Sequence, residues 1–300
     1  MESETARAMD HSPYSDPGEY APRWAALSPD ADVAVISAVV RNLVYHYRAD
    51  GIEVPPERRG DIDLRWADRT LGVDAERHPE PIDEPRERSE RVAGCCRDFT
   101  LLTVSALRER GIPARSRVGF AGYFDPGYHF DHVVVEYHDG ARWVRADAQL
   151  EPDWYPFDTH DLPDRGLAGF ATAAEVWAAV RGGDADPRTF GVFPGSPFGG
   201  IPFVFDYVIR DIAHRHGDEL LLWDVWGAMH GQRPVAEPEL LWMDELAALV
   251  RAADDGDDEA AAALRDRYAR EDALNPRGRV MQASPYGLPD IDVELRPSTR

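Results

Sequence analysis

The sequence predicts an α+β fold on three observations. Residues 96–110 carry Phe99, Leu102, Thr103 and Ala106 at the i, i+3, i+4, i+7 spacing of a helix with one buried face. Three strand patterns follow, over residues 116–123, 132–138 and 142–148, and the last two are separated by Asp139-Gly140, a tight-turn dipeptide. After Leu150 the apolar periodicity is mainly helical. A helix ahead of antiparallel strands, instead of alternating with them, is the α+β pattern.

Taken in order, residues 1–24 are polar, with few aliphatics, and are expected to be a flexible segment. A helix should start at the N-cap Ser28, followed by Pro29, with Val33, Ile36, Val40, Leu43, Val44 and Tyr47 on one stripe and a stop at Asp50-Gly51. The charged, Pro-punctuated stretch 55–91 reads as surface connections around a short helix at 64–71. The helix at 96–110 should end in a Schellman motif, with Gly111 left-handed and Ile112 folded back on Leu107. Further on, Thr172 and Glu175 form a capping box, 190–203 is an aromatic and glycine-rich loop, and stripes at Phe205 to Ile212 and at Leu222, Val225, Trp226 and Met229 predict two helices split at Gly217. Helices at 239–253 and 257–270 and a strand-like tail complete the chain.

Composition narrows the function. The 300 residues carry 33 basic and 55 acidic side chains, a net charge of −22, which argues against nucleic acid or an anionic membrane as partner. All 33 basic residues are arginine, so Schiff-base, pyridoxal-phosphate and P-loop lysines are ruled out. No leader or membrane-spanning run is apparent, and a reducing cytoplasm is the expected location. The two cysteines, Cys95 and Cys96, are adjacent and cannot staple distant segments, so a reactive thiol or a metal ligand is the functional choice.

A two-residue turn at Asp139-Gly140 pairs His132 with Asp147 across the hairpin, with Cβ atoms about 4.5–5.5 Å apart on one face. The same register pairs Val134 with Arg145 and Glu136 with Trp143, and on the apolar face Val133 with Ala146 and Val135 with Val144. Cys96 stands at the start of the predicted helix, behind Gly94, where unpaired N–H groups and the helix dipole favour a thiolate, with pKa values of about 3.5–7.5 at such sites. The roles follow from the chemistry: Cys96 attacks a carbonyl, His132 takes and returns the proton, and Asp147 fixes the His132 tautomer. The competing readings are a buried structural thiol and a metal site of His129, His132 and the vicinal thiols; a strand puts i and i+3 on opposite faces, which disfavours the second. Arg115 reads as a structural anchor for a carboxylate, Glu136 as a sheet hydrogen bonder, Asp98 as a favourable first-turn charge, and His214 and His216 as helix-end residues. The loop around Phe198 and the Trp223 to Trp226 stripe could line an apolar pocket.

The segments GCCRDFTLLTVSALRERGIPAR, VGFAGY and HVVVEYHDGARWVRAD together resemble the core of the transglutaminase-like superfamily, whose Cys helix, GIPAR turn, His strand and Asp strand occur in that order over residues 90–150. The resemblance puts the catalytic Cys, His and Asp on Cys96, His132 and Asp147. It implies a papain-related core, the catalytic helix packed on an antiparallel sheet, over 25–165, with a mainly helical region at 166–300 packed on it. The activity it implies is acyl transfer from an amide, ester or thioester through an S-acyl enzyme, with release to water or an amine. The alternatives are a purely hydrolytic peptidase or amidase, and a binding protein that keeps the fold. No cofactor and no metal are implied, and the expected partner is a small or peptide-like amide. The chain departs from the family pattern at Val133 and Val134, where a Trp usually stands, and at the extra Cys95, which takes the role if the helix starts one residue earlier. The Cys96 N–H is one oxyanion donor, and Trp66 is an upstream candidate for a second.

Overall fold

Amphipathic stretches become helices here and β-branched runs become strands, and the exceptions fall where tertiary contacts outweigh local pattern. The computed structural model describes residues 4–297. Helices α1 (Glu4–Arg7), α2 (Ala21–Ala25) and α3 (Val33–Leu43) lead into strand β1 (Val44–His46), α4 (Ala67–Arg77), β2 (Val92–Gly94) and α5 (Cys96–Glu109). The strands β3 (Ala114–Asp125), β4 (Tyr128–His138), β5 (Trp143–Ala146) and β6 (Phe170–Thr172) follow. The remainder is α6 (Ala173–Gly182), β7 (Phe190–Gly191), α7 (Gly200–Arg215), β8 (Asp224–Val225), α8 (Glu237–Asp254), α9 (Asp258–Arg270), β9 (Arg279–Gln282) and β10 (Ile291–Glu294).

The main sheet has the antiparallel order β5-β4-β3-β6, with β7 joining β4 in parallel. Helix α5 packs against β4 and α7 against β3, so the fold is α+β with the Cys helix on an antiparallel sheet, as the sequence predicts. At the end of α5, Gly111 has φ +68° and the Ile112 N–H donates to the Leu107 carbonyl at 3.0 Å, the predicted Schellman ending.

Three expectations are corrected. Helix α3 starts at Val33, not near Ser28, because the Asp32 carboxylate accepts from the Ala34 and Val35 N–H groups, each at 3.0 Å. It ends at Leu43, where Val44 to His46 leave the stripe to pair with β2. The stripe Leu222 to Met229 is not a helix. Its residues surround β8, which pairs with β9, and a Cβ at Gly227 (φ +55°) would lie 2.2 Å from the Ala273 carbonyl oxygen, so the chain there is held against the loop after α9.

The N-terminal segment is the third correction. Tyr14 and Trp24 are buried, the Ala67 N–H donates to the Tyr14 carbonyl at 2.7 Å, and the Ala114 N–H donates to the Ala8 carbonyl at 3.0 Å. Its polar residues are used inside the molecule: the Ser12 hydroxyl donates to Glu219 Oε2 at 2.5 Å, and Arg108 of α5 donates to Ser15 Oγ at 2.7 Å and to Glu219 Oε1 at 3.0 Å. Polar composition suggested looseness, whereas these groups satisfy buried partners. Residues 1–3 lie outside the described residues. One apolar cluster runs from Tyr14 to Val280 and crosses the boundary expected at 165.

Charge also holds the layers together. Arg117 on β3 is fully buried and donates to Asp211 of α7 at 3.0 and 2.9 Å, to Glu136 of β4 at 3.1 Å and to Asp254 of α8 at 2.8 and 2.9 Å. Arg115 beside it meets Glu136 at 2.5 Å and Glu4 at 2.6 Å, the structural anchoring expected of Arg115 and Glu136. Among the described residues no helix is long and apolar enough to cross a membrane.

Candidate active site

The site begins with a strand pair. Parallel pairing of β1 with β2 sets His46 opposite Gly94, and the Tyr47 N–H donates to the Gly94 carbonyl at 2.9 Å, which fixes the turn into α5. Asp98 closes that turn: its Oδ2 accepts from the Cys95 N–H at 2.8 Å and its Oδ1 from Arg97 at 2.9 Å. The helix therefore starts at Cys96, with Cys95 at the N-cap. A Cβ on Gly94 would lie 2.8 Å from Asp98 Oδ2 and 2.9 Å from Val44 Cγ1. Gly94→Ala should consequently lower stability by about 1–3 kcal/mol through overpacking. A urea midpoint equal to wild type would show that Asp98 and Val44 yield freely.

Cys96 is 4% exposed. Its sulfur accepts from the Val133 N–H, and one turn further along α5 the Thr100 hydroxyl donates to the Val133 carbonyl at 3.0 Å, so the start of α5 is laid on β4 next to His132. A hydrogen bond with Cys95, then burial, then the negative charge of Asp131 push the Cys96 thiol well above the ordinary thiol range, against the helix-dipole effect expected from sequence. Desolvation and a second thiol outweigh the dipole, and the sulfur rests as a thiol.

His132 and Asp147 meet as expected, by a different register. The turn is a four-residue loop, 139–142, in which Asp139 Oδ1 accepts from the Ala141 and Arg142 N–H groups at 2.7 and 2.8 Å. The ladder accordingly pairs His138 with Trp143, Glu136 with Arg145, Tyr137 with Val144 and Val135 with Ala146, which corrects all four secondary pairings stated above. A shift of two residues keeps every side chain on its face, so Asp147, one residue beyond β5, still reaches His132 diagonally. The His132 Nε2–H donates to Asp147 Oδ2 at 2.6 Å, and both side chains are buried. That bond leaves Nδ1 as the nitrogen for proton exchange with a thiol. Asp147 also accepts from the Tyr123 hydroxyl at 2.5 Å and from the Gln149 N–H at 3.1 Å.

Several nearby groups went unread in the sequence. Within the irregularity in β3 between Ala121 and Asp125, Phe124 and Tyr123 set their rings edge-on to His132 at 5.1 and 6.2 Å, an aromatic wall where Val133 and Val134 offer none. The alternation of VGFAGYF toward its end was the available signal. His46 Nδ1 accepts from the Arg48 and Ala49 N–H groups at 3.2 and 3.1 Å, which keeps the ring neutral with its proton on Nε2; burial, then the charges of Arg48 and His132, push its pKa down to about 3. Asp131, next to Cys96, accepts from the Tyr207 hydroxyl of α7, and burial raises its carboxyl pKa. The sequence gives no hint of that pair, since the partners are 76 residues apart.

The other candidates disperse. Trp66 lies 4.4 Å beneath the Arg296 guanidinium at the start of α4, and its buried indole N–H has no protein acceptor. His129 stacks on Phe190 at 4.3 Å while His132 turns to Asp147, and among the described residues no three His, Cys, Asp or Glu side chains gather as a metal site. His214 is a buried helix-end residue held by Ser116 Oγ at 2.8 Å and the Leu220 carbonyl at 3.1 Å. Phe198 is half exposed, and the Trp223 indole donates to Asp63 at 2.9 Å. A cleft of about 210 Å³ is instead lined by Phe99, Phe124, Gln149 and Tyr155, and the Phe124 ring lies 5.1 Å from that of His132.

Residues 63–148 match the family model described as Transglutaminase-like superfamily. A solved structure of a candidate cysteine protease from Cytophaga hutchinsonii aligns at 19% identity with a TM-score of 0.36, covering 57% of this chain and 52% of that one, so the chain spans about half of that protein's length. No curated protein matches the chain.

Proposed function

We propose, from the premise that residues 63–148 are a transglutaminase-like segment, that the protein is a cysteine-dependent acyl-transfer enzyme working through Cys96, His132 and Asp147. The observation that supports this best is the contact of Cys96 with the backbone of Val133, while His132, one residue earlier, is bonded to Asp147 at 2.6 Å. In the reaction, the Cys96 sulfur bonds to the carbonyl carbon of an amide, ester or thioester as its proton passes to His132 Nδ1. The leaving group takes that proton when its bond breaks, giving the S-acyl enzyme. Water or an amine, deprotonated by His132, then attacks and restores the thiol. Because the thiol is protonated at rest, proton transfer accompanies attack instead of preceding it. Asp147 contributes by holding the Nε2–H and stabilising the imidazolium that forms.

The test is intact mass after mixing the full chain with p-nitrophenyl acetate, with and without a small amine. An acetyl adduct is expected in wild type and in Cys95→Ala, and no adduct in Cys96→Ala. An adduct that persists in Cys96→Ala overturns the assignment. Acetylated amine among the products would mark transfer, and acetate alone hydrolysis.

A further inference from the structure

The cleft beside the candidate centre has a composition that bears on the substrate. At about 210 Å³ it suits a side-chain-sized group more than a large ligand, for which pockets run to about 300–1,000 Å³. Its lining includes neighbours of the candidate centre, though not Cys96, His132 or Asp147 themselves. Phe124 in its wall is 5.1 Å from the His132 ring, Phe99 lies on α5 one turn past Cys96, and Gln149 donates its N–H to Asp147. Trp154 and Tyr155 add apolar surface.

Three arginines enter the same cleft in a chain whose net charge is −22. Two face acids: Arg88 is 3.9 Å from Asp50, which also accepts from the His46 N–H at 2.9 Å, and Arg41 is 3.5 Å from Glu151. Arg91 differs. It donates to the Arg86 carbonyl at 3.3 and 3.1 Å and to the Arg41 carbonyl at 2.6 Å, and among the described residues no carboxylate lies within ion-pair distance of it. Those bonds use three of the five guanidinium N–H groups. Asp50 and Glu151 also line the cleft but are taken up by Arg88 and Arg41, so a half-buried cation with spare donors and apolar walls is complementary to a carboxylate on an aromatic or aliphatic body.

We propose that this cleft seats a carboxylate of the acyl substrate on Arg91, with Arg88 assisting, so that the enzyme selects anionic acyl donors with an apolar body over neutral or cationic ones. The selection rests on the reading of Cys96 as nucleophile, whereas the anion site itself does not.

The probes are hydrocinnamate, its primary amide and phenethylamine, titrated calorimetrically into the full chain. Hydrocinnamate should bind most tightly, with the amide about tenfold weaker, and Arg91→Gln should weaken hydrocinnamate about tenfold while leaving the amide unchanged. Arg88→Gln, at a more exposed position, should act in the same direction and covers the case in which Arg91→Gln does not fold. Equal binding of acid and amide, tighter binding of the amine, or an acid affinity that neither variant lowers overturns the proposal. Bound hydrocinnamate should also slow labelling of Cys96 by iodoacetamide at alkaline pH, where labelling of a raised thiol is fastest. Binding without protection puts the anion away from the sulfur and overturns the substrate assignment. A Cys96 inert to both iodoacetamide and p-nitrophenyl acetate defeats the proposed function instead, and the titrations then decide the anion site by themselves.

Discussion

Asp147→Asn is expected to lower the turnover of an activated ester about 10³–10⁴-fold with little change in KM. The carboxylate accepts two donors on Oδ2, the His132 Nε2–H at 2.6 Å and the Tyr123 hydroxyl at 2.5 Å. An asparagine amide directs an N–H toward one of them. If that is the imidazole, the ring proton moves to Nδ1, the nitrogen that has to receive the thiol proton, and the base is lost. Tyr123→Phe removes one donor and leaves the His132 bond intact, so its loss should be far smaller. Steady-state kinetics on both variants check this, and a fall in Asp147→Asn no larger than that in Tyr123→Phe would remove Asp147 from the machinery.

The largest loss of stability is expected from Arg117→Met, about 3–5 kcal/mol, the usual consequence of removing one partner of a buried ionic cluster. Without the guanidinium, Glu136, Asp211 and Asp254 lose the cation that all three share. In wild type, Arg117 and Arg215 hold the Asp254 carboxyl down to about 2 despite burial. A depressed folded pKa stabilises above the ordinary value of 3.8, and that contribution is lost as pH falls toward about 2. In the variant, burial and mutual repulsion raise these carboxyl groups, so stability should increase as pH is lowered from neutral toward about 5. Urea midpoints across that range measure both effects. A variant that follows the wild-type slope would mean that Arg115 and Arg215 replace the missing charge.

Much of the centre was legible because its determinants are local. Helix α5 and its glycine stop follow from spacing, and the His132–Asp147 pairing survived an error in the loop because a slip of two residues preserves the face. The loop itself was misjudged because Asp139 caps two N–H groups and draws Ala141 and Arg142 into the turn. The family match extends upstream to residue 63, beyond the stretch from 90 whose motifs are plain to the eye. What stayed hidden depends on distant partners: the burial of Cys96 and the charge of Asp131 that acts on it, the neutral His46, and the buried use of Ser12 and Ser15. The stripe at Leu222 to Met229 misled because extended segments also bury leucines and tryptophans, and only the close approach of Gly227 to Ala273 reveals which conformation applies.

Glu219 has a bearing on how the molecule is made. Its carboxylate receives Ser12 and Arg108, and its carbonyl accepts from Arg97, the neighbour of the candidate nucleophile, at 3.1 Å. A nascent polypeptide leaving the ribosome thus exposes both the segment around Ser12 and its sulfur-bearing helix long before the residue that ties them together has been translated. Assembly of the groups around Cys96 is a late event in the life of each chain, and a product of premature termination would carry that thiol without the framework that places it.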